Sequence, residues 1–210
     1  MLKARIAVLV SGGGTNLQAL IDAQGRGELS HGEIVLVVSG TTGAYALERA
    51  RRHQIPALAI DRKNCSGGLE FEQKLKAALE DYRIDLIILA GFMTILSPAF
   101  IQSYPQRIIN VHPALIPTFC GKGFYGLRVH RAALEYGVKV TGATVHYVNE
   151  IPDGGRILLQ KAVDVLPGDT PERLQRRVME QAEWVLLPEA AELVSKRIME
   201  EKENEGCGCR

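Results

Sequence analysis

The chain has 210 residues, 46% hydrophobic and 23% charged, which is the composition of a globular protein with a sizeable core and excludes a disordered or fibrous one. Its 25 basic and 24 acidic residues leave a formal charge of +1, so no global field draws it to nucleic acid or an anionic membrane, and any anion must be bound locally. No apolar run approaches the roughly 20 residues of a membrane-spanning helix, and Met1-Leu2-Lys3-Ala4-Arg5 opens into a strand rather than a signal peptide; one cytoplasmic domain is expected.

Residues 5–10 are a β-branched and aliphatic run, a strand, that ends in Ser11-Gly12-Gly13-Gly14-Thr15-Asn16 before an amphipathic helix at 17–24. Glycines at a helix start let an anion approach bare backbone N–H groups, and a side chain at Gly14 would block that approach. A ligand-free tight connection fits as well. The dinucleotide fingerprint wants a third glycine where Leu17 stands, and there is no Gly-Lys-Ser/Thr, so a single phosphate suits the turn better than NAD. Strand 33–39, helix 43–53 and strand 56–60 continue the alternation; His31 and His53 read as structural or solvated. Helix 69–82 carries Phe71, Leu75, Ala78, Leu79 and Tyr82 on one stripe. The unbroken apolar run 85–90 is a strand covered on both faces, central in a parallel sheet.

Gly91-Phe92-Met93-Thr94-Ile95-Leu96 is apolar for a loop at a strand's carboxyl end, and fits either a flat apolar ligand or packing under the short helix that Ser97-Pro98 begins. Then Ile108-Ile109-Asn110-Val111-His112-Pro113 leads two strand residues into two polar ones. Alternation puts Asn110 and His112 on one face with Val111 on the other, and Pro113 keeps His112 extended and ends the ladder. An Asn-x-His-Pro alone equally fits a strand-to-loop junction. The loop 114–125, with Lys122 among glycines, has the composition of a lid, although its glycines also fit plain turns. Helix 129–136 closes at Gly137. Strand 139–148 sets Thr144 and His146 on one face, Asp153-Gly154-Gly155 is a turn, and 156–163 is a further strand. The last segment starts at Asp169-Thr170-Pro171-Glu172 and runs to about 198, with Pro188 expected to kink or break it. Of the cysteines, Cys65, Cys120, Cys207 and Cys209, the last two belong to a charged tail, 201–210, expected to be disordered and silent.

Taken together, SGGGTN at 11–16, AGFMTILSPAF at 90–100, NVHPALIP at 110–117, TGATVHYV at 141–148, Asp153-Gly154-Gly155 and ILLQ at 157–160 resemble the phosphoribosylglycinamide formyltransferases, from about residue 4 to about residue 190. The resemblance implies a formyltransferase domain over 1–200: an α/β fold, Rossmann-like, with one doubly wound, mainly parallel sheet and helices on both faces. It implies formyl transfer from 10-formyltetrahydrofolate to the amine of glycinamide ribonucleotide, small-molecule substrates only, no metal, and a monomer or homodimer. The positions matching catalytic residues are Asn110, His112 and Asp153, with Thr144 ordering the site. Gly13, Gly14, Thr15 and Asn16 match the phosphate turn, and Glu183 an acid that meets the ribose. Met93, Thr94, Ile95 and Leu96, with Asn110 and Val148, match the folate cleft. The chain departs from many relatives at Thr94, where Arg is common, in the loop 65–68, which lacks a basic residue, and at Trp184, which replaces a common His; Arg62 and Lys63 are the nearby cations for a folate glutamate tail.

An amine attacking a formyl carbon builds negative charge on oxygen and positive charge on nitrogen. Asn110 and a protonated His112 would donate to the oxyanion, and a facing Asp153 carboxylate would favour the charged imidazole and collect the amine proton. The related activities sharing an Asn-x-His-Pro centre are other formyltransferases and formyltetrahydrofolate hydrolase, and a non-catalytic nucleotide-binding regulator would keep only the phosphate turn.

Overall fold

A computed structural model describes residues 2–207, with side chains described through 205. Two compact units emerge, Met1–Leu96 with Pro188–Arg210, and Ser97–Leu187. In the first, β1 (Ala4–Val10), β2 (Gly32–Ser39), β3 (Ala57–Ala59) and β4 (Leu86–Leu89) run parallel in the order β3-β2-β1-β4. Parallel strands need crossovers, here supplied by α1 (Thr15–Gly25), α2 (Tyr45–Arg52) and α3 (Gly68–Asp81). All four residues of β4 are buried, as an apolar run without alternation requires. Phe71, Leu75 and Leu79, the stripe of α3, are buried as well.

In the second unit, α4 (Pro98–Gln102) is capped by the Ser97 hydroxyl, which accepts from the Phe100 N–H. β5 (Ile108–His112), β6 (Val140–Tyr147) and β7 (Ile157–Asp164) form an antiparallel set in that order. The helix α5 (Leu127–Tyr136) ends at Gly137 in the left-handed region that glycine adopts without strain. The register sets Asn110 opposite His146, and His112 opposite Thr144, which in turn faces Gln160. The α/β class with a mainly parallel arrangement of seven strands is the one expected from the sequence.

Two expectations about the C-terminal segment are corrected. After α6 (Pro171–Val178), capped by Thr170, the irregularity falls at a π-helical stretch, Met179–Glu183, and not at Pro188. The helix α7 (Trp184–Cys207) contains Pro188 near its start and is not broken there. Residues 201–207, expected to be disordered, are helical. Arg197 and Glu201 pair at 3.3 Å, and Lys202 Nζ reaches Asp85 Oδ1 at 2.6 Å, tying the last turns down. The Cys207 and Cys209 thiols of the expected silent tail lie outside the described side chains. His31 proves structural: its Nδ1 is 2.6 Å from Glu192 Oε1 and its N–H donates to Glu192 Oε2.

Candidate active site

β5 delivers Asn110 and His112 to one face, as alternation requires, and the turn after β6 brings Asp153 onto them. That turn is built by glycine. A Cβ on Gly155 would stand 1.7 Å from the Tyr147 carbonyl oxygen, so only glycine lets the chain lie against the end of β6. Asn149 accepts from the Ile151 N–H, and Asp153 itself is left-handed at φ 56, a conformation Asp tolerates better than most residues.

The result is a cluster of four, His112 and His146 buried and Asn110 and Asp153 half-buried. Asp153 Oδ2 is 3.4 Å from His112 Nδ1 and accepts from the Gly121 N–H at 2.9 Å, while its Oδ1 is 3.6 Å from His146 Nε2. Asn110 Nδ2 lies 3.2 Å from His146 Nε2 and 3.5 Å from Asp153 Oδ1. His146 Nδ1 is 2.8 Å from the Tyr147 carbonyl, and its Nε2 faces both the Asn110 amide and the Asp153 carboxylate, so the ring orients both side chains. His146 was not among the residues expected to react. Alternation placed it beside Thr144, but its position opposite Asn110 is a matter of register across strands far apart in the chain.

Charge in the cluster is set by burial against partners. For Asp153, burial works to raise the pKa, but His146, His112 and the Gly121 N–H together hold it below the ordinary carboxylate value, so it is ionised at neutral pH. For His112, burial dominates and lowers the pKa below its usual value, against the Asp153 carboxylate and the Phe119 carbonyl, which raise it. The expectation that Asp153 holds His112 protonated is therefore corrected: in the free protein the ring is mainly neutral at pH 7. Both ring nitrogens nevertheless face acceptors, with Nε2 2.9 Å from the Phe119 oxygen, so the imidazolium form finds both N–H groups partnered.

Thr144 stands apart from this cluster. Its buried hydroxyl donates to the Ala114 carbonyl at 2.7 Å and accepts from the Ile116 N–H and from Gln160 Nε2, so it pins the start of the loop after β5. In the same unit Glu183 is buried at the end of the π-helical stretch, and Val148 donates its N–H to the Ile108 carbonyl.

In the first unit, Gly14 is the N-cap of α1 at φ 72. A Cβ there would lie 2.6 Å from the Ala46 Cβ, so this glycine answers a close approach of α2; Gly12 and Gly13 meet nothing within 4 Å and are the open positions. Asn16 is buried and Thr15 half-buried at the helix start. The loop after β4 divides its apolar residues. Phe92 stacks on Phe71 at 6.3 Å and Leu96 is buried, whereas Met93 and Ile95 are 55% and 72% exposed, leaving those two free for an apolar ligand. The Met93 N–H is taken by Ser11 Oγ at 2.9 Å, which ties this loop to the glycine turn. Thr94 is half-buried, within ordinary contact of a Cβ built on Gly40.

With this geometry in hand, known proteins give a consistent answer. The formyl transferase family model matches residues 4–190. A phosphoribosylglycinamide formyltransferase of Haemophilus influenzae is 42% identical over 184 residues, covering 88% of this chain and 84% of that protein. The human trifunctional purine biosynthetic protein adenosine-3 is 43% identical over 202 residues, covering 96% of this chain, which spans only 19% of that longer protein. The solved structure of glycinamide ribonucleotide transformylase 1 from Symbiobacterium toebii superposes with a TM-score of 0.86 at 43% identity, over 92% of this chain and 88% of that one. The fold is that of the formyl-transferring enzymes. The chain belongs to the formyl transferase family.

Proposed function

We propose that the chain transfers a formyl group from 10-formyltetrahydrofolate to the glycyl amine of 5'-phosphoribosylglycinamide in purine synthesis. The observation that carries this reading is the Asn110, His112, His146 and Asp153 cluster at the end of β5. The neutral amine attacks the formyl carbon, and a new C–N bond forms as charge moves to oxygen. Asn110, held by its neighbours, is a donor for that oxyanion, and His112 is the second in the form that has taken a proton from solvent before attack and keeps it through the reaction. Ionised Asp153, directly or through water, takes the proton of the attacking amine. The C–N bond to the folate then breaks, and the proton ends on the departing folate nitrogen. No nucleophilic serine or cysteine is required.

Gly13, Gly14, Thr15 and Asn16 hold the acceptor's phosphate in this reading, and Glu183 its ribose. Met93, Thr94, Ile95 and Leu96, with Asn110 and Val148, take the folate. Residues 1–200 act as one catalytic domain, in the cytoplasm, as a monomer or homodimer, without a metal; among the described residues no helix is long and apolar enough to cross a membrane. The test is a formyl-transfer assay offering glycinamide ribonucleotide, water and methionyl-tRNA as acceptors. Turnover with the ribonucleotide supports the reading. Release of formate alone, or transfer to tRNA, replaces it with hydrolysis or a sister formyltransferase.

A further inference from the structure

The turn at 12–14 does not hold its shape unaided. The Gly12 carbonyl accepts from the Ala46 N–H at 3.1 Å and the Gly13 carbonyl from Arg49 Nε at 2.8 Å, so α2 engages two successive carbonyls of the turn. In a trans peptide the C=O and the N–H point in opposite directions. Drawing both carbonyls toward α2 therefore turns the N–H groups of Gly13 and Gly14 away from it. We propose that Arg49 is a positioning residue for phosphate recognition, fixing the Gly13–Gly14 peptide so that its N–H faces the anion. This inference rests on the phosphate-turn reading above and names what sets its geometry.

The guanidinium is itself held rigidly. Its Nη1 donates to Gln18 Oε1 at 3.0 Å, on the first turns of α1, and its plane lies over the Tyr45 ring at 5.1 Å. Arg49 thus joins the turn, the helix that follows it and α2 through one planar fork. Lysine would keep the charge but could not span the same acceptors from one plane.

The experiment compares wild type, Arg49→Lys and Arg49→Met with two acceptors, glycinamide ribonucleotide and its dephosphorylated riboside, with thermal denaturation as a check on folding. Wild type is expected to prefer the phosphorylated acceptor. In Arg49→Met that preference, the ratio of the two kcat/KM values, should fall at least about tenfold, the scale of a lost hydrogen bond to a charged group. Arg49→Lys should recover only part of it, and the KM for the folate donor should stay within a few-fold. An unchanged ratio in Arg49→Met, equal losses with both acceptors, or full recovery by lysine would overturn the assignment of Arg49. If wild type itself shows no preference, the phosphate-turn reading fails instead.

Discussion

Asp153 Oδ2 stands 3.4 Å from His112 Nδ1, with the other ring nitrogen 2.9 Å from the Phe119 carbonyl, so the imidazole is bracketed by acceptors in surroundings whose burial resists its charge. Asp153→Asn preserves size and tolerates the left-handed turn but removes one bracket. The turnover number should fall at least about 10²-fold, the scale of lost acid–base help, with both ligands still bound within a few-fold. Because the carboxylate raises the His112 pKa, its loss should move the His112 titration to lower pH, which an imidazole NMR titration measures. Near-normal turnover would leave Asp153 a turn residue.

Thr144 gives a different kind of test. Thr144→Val keeps the shape but strands the Ile116 N–H and the Ala114 carbonyl, which should lower stability by about 1–3 kcal/mol. Thr144→Ser should restore most of that loss. Urea unfolding of the two variants checks it, and a fully stable valine variant would show that the loop start is held by other bonds.

Gly13 and Gly14 should behave oppositely. Gly14→Ala meets Ala46 and a left-handed backbone, and should be destabilised by about 2–4 kcal/mol. Gly13→Ala, with open space around it, should melt within a few degrees of wild type and show its effect in a raised KM for the phosphorylated acceptor. Thermal melts and acceptor kinetics on both variants separate packing from recognition.

His130, fully buried on α5 with neither ring nitrogen hydrogen-bonded, has its pKa pushed down to about 4, mainly by burial and further by His112. The unfolded chain takes up this proton near the ordinary value of about 6.5, so the native state loses stability as pH falls from there toward 4. Between pH 7 and pH 5 the loss should be about 2 kcal/mol. His130→Leu should be that much less sensitive over the interval, as read from denaturation curves at the two pH values. Equal sensitivity in both proteins would mean that His130 does not titrate there.

Local chemistry determined much of this protein in advance. Alternation put Asn110 and His112 on one face of β5, β4 read as doubly covered because nothing in it is polar, and Gly137 and Ser97 marked helix ends, since each follows from neighbours in the chain. The tertiary structure decided what depends on distant residues meeting. It paired His146 with Asn110 through strand register, tied the Thr144 hydroxyl to the start of the loop after β5, and packed Gly14 closely against Ala46 of α2. It also set the charge of His112, because burial and the approach of Asp153 from beyond β6 act against each other, and only the packed geometry fixes which prevails.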